Sequence, residues 1–427
     1  MTNSAVIGMW GAGREGLSVC RYLDRRGVSV VLVDESARER PAGLPDSIDF
    51  RSGDGALDAL ADCAEVVISP GVPRVHPFRA ALDDRGVSTT SATNLWMRDH
   101  TNDVIGVTGT KGKSTTSSLI HFLLTAGTVE SQLAGNIGVP LTDLPDTDTV
   151  TVVEMSSYQC AFLARSPRVA VVTSLFQDHL PWHGSLRQYW LDKANVFARG
   201  AEVLVCNADT LEKFTELGVA LPETVLLATD DVLAGIDVAE LPTPLRATHN
   251  RENLALAILA ARQIPGFTLS DADIAQALAS FEALPHRLAT ISTFADRRWV
   301  DDTLATTTES VIAALSAFPT ENVVLLAGGL ERGIDYSALQ ELLARRTPNI
   351  RVVCLPDNGV DIVGPYRTDH PDLVHTATDL SDAVRIALEV SEPGTVVLLS
   401  PGAPSYNVYR DFEEKSEDFR RAVDALG

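Results

Sequence analysis

Short apolar runs recur along the chain, and between them lie stretches of helical period. Residues 4–10 form the first run. A turn, Gly11-Ala12-Gly13-Arg14-Glu15-Gly16, follows it, then an amphipathic segment through Leu23. A second run, 28–33, ends at Asp34, and a third, 65–68, opens into Ser69-Pro70-Gly71-Val72-Pro73. This order predicts strand, helix, strand and strand, an α/β pattern. The pattern restarts near residue 102. Residues 104–107 predict a buried strand, 109–112 a glycine-bearing loop, and 114 onward a helix with Leu119, Ile120, Phe122 and Leu123 apolar. Runs 149–153 and 169–173 predict two more strands, and 189–197 and 248–261 two more helices. Leu284-Pro285-His286-Arg287 predicts a hinge, since proline disfavours helix at the residue before it. A third round then begins, with strands at 299–300, 323–327, 350–355 and 396–400. Its helices fall at about 308–317, 336–345, 380–390 and 411–425.

Three rounds of strand and helix predict an α/β chain of three domains. The first is Rossmann-like and spans 1–99. The central one, 100–285, is a P-loop domain with a mostly parallel sheet, and the last, 286–427, is again Rossmann-like. A length of 427 residues fits three domains.

Composition narrows the function classes. At 45% hydrophobic the chain can bury sizeable cores, yet no run of ~18 apolar residues suggests a membrane span. The N-terminus has no basic segment, so no signal peptide is expected. Cysteines at 20, 63, 160, 206 and 354 are scattered without metal-type spacing, which predicts a reducing, cytoplasmic setting and no zinc site. A net charge of −22 argues against nucleic acid or an anionic membrane as partner. An acidic protein that binds phosphates must gather its cations, which singles out Lys111, Lys113, Lys193, Arg287 and Arg332.

The richest chemistry lies in Gly106-Val-Thr-Gly-Thr-Lys-Gly-Lys-Ser-Thr115. Strand, glycine loop, Lys-Ser and helix make a phosphate cradle, in which backbone N–H groups and the helix N-terminus face the anion. Lys113 would reach the terminal phosphates and the Ser114 hydroxyl would meet Mg²⁺. The usual motif has glycine five places before its Gly-Lys pair; here Val107 stands there. Glu154 closes a strand that follows the phosphate loop, a place suited to Mg²⁺. Gln177-Asp178-His179 follows the next strand, and Lys193 lies on the helix after it. The 11–16 turn with Asp34 is the dinucleotide fingerprint. It suggests NAD, but any nucleotide with a pyrophosphate and a ribose can use the same device. Further turns fall on ligand edges: Gly135-Asn136-Ile137-Gly138, Gly328-Gly329-Leu330-Glu331-Arg332 and Ser400-Pro401-Gly402-Ala403-Pro404-Ser405.

Taken in order, these residues resemble the Mur ligase family of peptidoglycan precursor synthesis, and within it the glutamate-adding, MurD-type branch. Carriers of the resemblance include the phosphate loop, 135–138, Glu154-Met-Ser-Ser-Tyr-Gln159, Asp178-His179, Lys193, Asn253, Leu284-Pro-His-Arg287, Asp302 and 399–405. The family's phosphate loop has glycines where this one does. The resemblance implies a reaction in which ATP phosphorylates the carboxylate of UDP-N-acetylmuramoyl-L-alanine. Glutamate's amine attacks the acyl phosphate, and phosphate leaves from a tetrahedral intermediate.

Roles implied by the resemblance follow. Lys113, Glu154, His179 and Lys193 are catalytic. ATP is held by Gly109, Thr110, Lys111, Gly112, Lys113, Ser114, Thr115, Asn253, Arg287 and Asp302. The UDP-sugar is held by Gly11, Gly13, Arg14, Glu15, Gly16, Asp34, Ser69, Gly71, Asn136, Ser157 and His179. Thr306, Arg332, Ser405 and Phe412 meet the amino acid. Two Mg²⁺ sites are expected, drawing on Ser114, Glu154, His179 and a carbamate on Lys193. A monomer is expected.

Two departures bear on the amino acid. The D-glutamate enzymes resembled carry Asp-Ser-Lys-Ala-Thr where this chain has Asp302-Thr303-Leu304-Ala305-Thr306, and a lysine where it has Arg332. Arginine's planar fork is not an ammonium. Residues 175–184 and 399–405 look like a branch that adds L-glutamate, so L-glutamate is favoured and D-glutamate is the alternative. An NAD-dependent oxidoreductase would leave the phosphate loop and third domain without a task. A folate-type polyglutamate ligase would lack the first domain.

Overall fold

The computed structural model describes residues 6–37, 39–145, 147–281, 286–331, 333–405 and 408–427. Three separate sheets carry the chain. The first contains β1 (Ile7–Trp10), β2 (Val30–Asp34), β3 (Asp49–Ser52), β4 (Glu65–Ile68) and β5 (Ser88–Thr90), in the order β3-β2-β1-β4-β5 and parallel throughout. Its strand order reverses between β1 and β4, so the 11–16 and 69–73 turns leave adjacent strands at the switch point. The Ser69 amide donates to the Trp10 carbonyl at 2.9 Å. That crevice is where open α/β sheets take their ligands.

The second sheet contains β6 (Val104–Thr108), β7 (Ser131–Gly135), β8 (Val150–Glu154), β9 (Val169–Val172), β10 (Val203–Cys206) and β11 (Thr224–Leu227). Its order is β11-β10-β9-β6-β8-β7, again all parallel. β6 is central, flanked by β8 and β9, so the turns after these three strands share one edge. The third sheet contains β12 (Ala289–Ser292), β13 (Arg298–Asp301), β14 (Val323–Ala327), β15 (Ile350–Cys354), β16 (Val374–Thr376) and β17 (Val396–Leu399), in the order β12-β13-β17-β14-β15-β16. Among the described residues of this sheet, only the β12–β13 pair is antiparallel.

The apolar runs read so plainly because parallel strands are buried on both faces. In β14, Val323 and Leu325 join one core cluster while Val324 and Leu326 join another on the opposite face. β6 is buried at every position.

Two compact units divide the chain: residues 1–237 with 252–277, and residues 238–251 with 278–427. The first unit holds the first two sheets, which share a core containing Met9, Leu32 and Val67 together with Val104, Val153 and Phe197. The helix Arg14–Arg25 docks on the 138–143 segment. Arg21 grips Asp143 with Nη2 at 2.8 and 2.9 Å from its two oxygens, and Arg25 Nη2 donates to the Thr142 carbonyl at 2.9 Å. Ser18 and Thr142 hydroxyls lie 2.6 Å apart. The helix Thr248–Ala261 runs through the boundary at 251/252.

Candidate active site

The phosphate loop leaves β6 at Thr108. Gly109 has φ +147° and Gly112 φ +86°, values that L side chains rarely adopt. Space forbids side chains there as well. A Cβ at 109 would fall 1.9 Å from Thr173 Oγ1, and one at 112 would fall 2.4 Å from Asn253 Oδ1. The helix Lys113–Ala126 then begins with no side-chain cap at Gly112, and a helix N-terminus is a natural seat for an anion. The residues after β9 brace the loop. The Thr110 amide donates to Ser174 O at 2.6 Å, and the Thr173 and Ser174 hydroxyls donate to Lys111 O at 2.5 and 3.1 Å. Asn253 reaches the same place, accepting from Thr116 Oγ1 at 3.2 Å. Lys113 Nζ donates to the Gly109 and Thr110 carbonyls, each at 3.1 Å.

Lys193 approaches the loop from beneath. It lies on the helix Leu186–Ala198, 1% exposed, and Nζ donates to Gly109 O at 2.7 Å and Thr108 Oγ1 at 3.4 Å. Burial first, and then the neighbouring Lys113 charge, pull its pKa down to about 7. At neutral pH a large share of the amine is therefore uncharged and nucleophilic. Glu154, also 1% exposed, ends β8. Asn136 Nδ2 donates to its Oε1 at 2.7 Å, while Oε2 is buried without a partner.

His179 follows β9 in a left-handed conformation, φ +52°. Its Nδ1 lies 2.9 Å from the Tyr158 hydroxyl. Burial lowers its pKa, which favours the neutral ring that metals require. Among the described residues no group of three His, Cys, Asp or Glu could hold a metal alone. Glu154 and His179 could hold a divalent ion only together with further ligands, such as phosphate, Ser114 or a derivative of Lys193. The orphaned Glu154 oxygen is the hard, anionic donor that Mg²⁺ prefers.

In the first sheet, Asp34 is already engaged. Its Oδ2 accepts the Ala12 amide at 2.7 Å, and its Oδ1 accepts the Ser36 amide, the Ser36 hydroxyl and the Ala37 amide, each at 2.9 Å. Burial alone would raise its pKa; these bonds outweigh it and hold the group below the usual carboxylate range. Glu15 shifts the other way, raised by burial against a hydrogen bond from Gln159. Arg14 Nη2 donates to the Gly138 carbonyl at 2.8 Å. Ser157 is buried, and its Oγ lies 3.0 Å from His183 Nε2.

The second unit brings Asp302 and Arg287 into electrostatic reach. Burial drives Asp302 up to about 7, against a hydrogen bond from Ser400 Oγ at 2.8 Å and the Arg287 charge. The Phe412 ring meets His286 at 5.4 Å between centroids, and His286 Nδ1 lies 2.9 Å from Asp301 Oδ2. Ser405 is buried with its hydroxyl unpartnered, the state expected of a group awaiting a ligand. Thr306 is half-buried. Arg332, Leu284 and Pro285 lie outside the described residues.

Sequence patterns did not flag several neighbours of the site. Tyr189 OH lies 3.1 Å from Thr110 Oγ1, and Asp192 Oδ2 lies 2.6 Å from His183 Nδ1. Lys415 is 3% exposed, donates to Gly328 O at 3.0 Å, and is lowered to about 7 by burial. Asp192 directly precedes Lys193, the one signal that could have drawn attention to it.

Known proteins resemble this chain. A family model for the MurD-like Mur ligase N-terminal domain matches residues 2–91, and one for the Mur ligase middle domain matches 107–231. A UDP-N-acetylmuramoyl-L-alanine–L-glutamate ligase of Micromonospora sp. is 42% identical over 98% of this chain and 96% of its own. A UDP-N-acetylmuramoylalanine–D-glutamate ligase of Symbiobacterium thermophilum is 32% identical over 99% and 98%. The MurF ligase of Thermotoga maritima, solved with ADP, shares the fold with a TM-score of 0.60 at 16% identity, covering 99% of this chain and 95% of its own. Identity of that extent to a relative, carried from end to end, leaves one placement: the chain belongs to the Mur ligase family.

Proposed function

We propose that the chain is an ATP-dependent ligase that joins L-glutamate to UDP-N-acetylmuramoyl-L-alanine in peptidoglycan precursor synthesis. In this reading residues 1–99 bind the UDP-sugar, 100–285 bind ATP and 286–427 bind the amino acid. One observation carries it. A phosphate loop, an orphaned carboxylate oxygen and a buried, weakly basic lysine converge on the shared edge of β6, β8 and β9.

The chemistry explains the convergence. A carboxylate is a poor electrophile, and turning it into an acyl phosphate gives it a good leaving group. The loop amides and Lys113 would hold the triphosphate and draw off charge as the phosphoryl group moves. Mg²⁺, held through Glu154, His179 and Ser114, would neutralise phosphate charge so that two anions can meet. Lys193, uncharged in large part, is suited to take up CO₂ as a carbamate and so become an anionic oxygen donor. Ser405, Thr306, Arg332 and Phe412 would meet the amino acid, with Arg287 and Asp302 on the nucleotide.

L-glutamate is preferred for two reasons. The relative at 42% identity is named for L-glutamate, and Leu304 stands where the D-glutamate pattern has lysine. The relative at 32% identity is named for D-glutamate, which keeps that isomer as the second reading. A cytoplasmic site of action fits five free, buried cysteines.

The test is a paired assay. Purified protein with ATP, Mg²⁺ and UDP-N-acetylmuramoyl-L-alanine should release ADP and phosphate with L-glutamate and much less with D-glutamate. Turnover with D-glutamate alone reverses the stereochemical choice, and no turnover with either overturns the ligase reading. Lys193→Ala should lose about 10–100-fold in rate, and short carboxylic acids should restore part of it. Full activity of that variant would remove the carbamate role.

A further inference from the structure

Two arginines stand where the ligand edge of the first sheet meets loops of the second, and no role above uses them. Arg74 follows the 69–73 turn, and Arg79 lies in the first turn of the helix Pro77–Asp84. The segment they bracket crosses the ends of neighbouring strands. The ring of Trp10, the last residue of β1, meets the rings of His76 and Phe78 at 4.9 and 5.9 Å. His76 Nε2 is 3.6 Å from a carboxylate oxygen of Glu35, one residue past β2. Aromatic rings approach from the second sheet. The Arg74 guanidinium lies 5.4 Å from the Trp182 ring; that of Arg79 lies 5.8 Å from the same ring and 5.6 Å from Phe162. One indole thus carries two cations.

Their charge is poorly matched within the protein. Arg74 meets Asp192 Oδ2 at 3.0 Å, but that carboxylate also serves His183 at 2.6 Å and Gln188 at 2.8 Å. Arg79 makes no ion pair among the described residues, and its Nε is buried without a hydrogen-bond partner. Burial, and then the closeness of Arg74, bring its pKa down to about 10. Asp83 offsets a little of that. In a chain with a net charge of −22, two adjacent guanidiniums whose one close carboxylate is already shared with His183 and Gln188 point to an anion from outside. Each guanidinium carries five N–H donors, and those that Asp192 does not take can pair with phosphate oxygens.

We infer that Arg74 and Arg79, with Trp182 beside them, form a diphosphate subsite for the sugar nucleotide. This rests on the UDP-sugar reading of the first domain. It adds two binding residues to that domain, both outside its glycine turn.

Calorimetric titration with UDP and with uridine tests it. Arg79→Gln should weaken UDP binding about tenfold and leave uridine unchanged. Arg79→Lys, which keeps the charge but not the fork, should fall between. The UDP affinity of Arg74→Gln should also fall, and less steeply with added salt than that of the unaltered chain. Thermal unfolding of each variant, run alongside, separates lost binding from lost fold. UDP bound equally by the unaltered chain and all three variants would overturn the subsite. So would a loss shared equally by uridine, or a higher KM for the full acid substrate with UDP unaffected, which would assign the pair to the carboxylate. An unaltered chain that ignored UDP would sink the sugar-nucleotide reading as well.

Discussion

Lys193 is buried beside the phosphate loop and faces the charge of Lys113. Lys193 titrates near 7 in the fold against an ordinary 10.5. Below about 7 it is charged in both folded and unfolded chains, so the fold bears the full burial penalty. As pH climbs from there towards 10.5, the unfolded chain holds more protons than the folded one, and stability rises. Replacing the group with a hydrophobe should erase that slope. Lys193→Met should stabilise the protein by about 1–4 kcal/mol at pH 6, with the advantage shrinking by pH 9, as read by thermal unfolding in CO₂-free buffer. An advantage independent of pH would mean that the lysine is not titrating where the fold places it. The candidacy of Glu154 was legible in the sequence because it ends a strand, whereas Lys193 stands mid-helix and was marked only by the family resemblance. Their partners were not legible. Tyr158 with His179, and His183 with Asp192, pair side chains from different elements, and no spacing along the chain encodes such meetings.

At the scale of elements, interior strands were legible and edge strands were not. β1, β6, β8, β9, β14 and β17 are interior and apolar, and each was read from its run. The six edge strands, β3, β5, β7, β11, β12 and β16, went unread. β3 is Asp-Phe-Arg-Ser and β5 is Ser-Thr-Thr; each is covered on fewer sides and needs no continuous apolar run. β10, Val-Leu-Val-Cys, was as plain as the rest and was still passed over. The phosphate loop was read correctly as strand, turn and helix, and the structure adds why its glycines cannot change. Gly112→Ala would force a left-handed residue, at about 1–2 kcal/mol, and drive a methyl against Asn253. The variant should fold with a lower Tm and bind an ATP analogue at least about tenfold more weakly. Unchanged affinity would show that the loop tolerates a reshaped bend.

For the whole molecule, the division of the chain matters more than its length. The unit that holds the phosphate loop is not continuous in sequence; it recovers 252–277 after the chain has left it. Asn253, within that recovered piece, buttresses Gly112 and Thr116. A fragment ending at residue 237 should therefore lose nucleotide affinity even where circular dichroism shows its sheets intact. A fragment that bound ATP as the full chain does would mean that the returning helix is dispensable. Three rounds of strand and helix foretold three sheets. They gave no hint that two of those sheets would share one core, since that depends on which faces meet.

The carboxylate of Asp34 carries a lesson about signatures. With both oxygens already committed to amides of its own neighbourhood, it works as a buckle that fastens the glycine turn. Among the described residues its Oδ2 accepts one bond only, so a ribose hydroxyl could share that oxygen while the turn stays fastened. The six-residue turn and its distant acid thus form one fastened unit whichever nucleotide lies beside it. Sorting chains by that signature alone would file this one among the dehydrogenases.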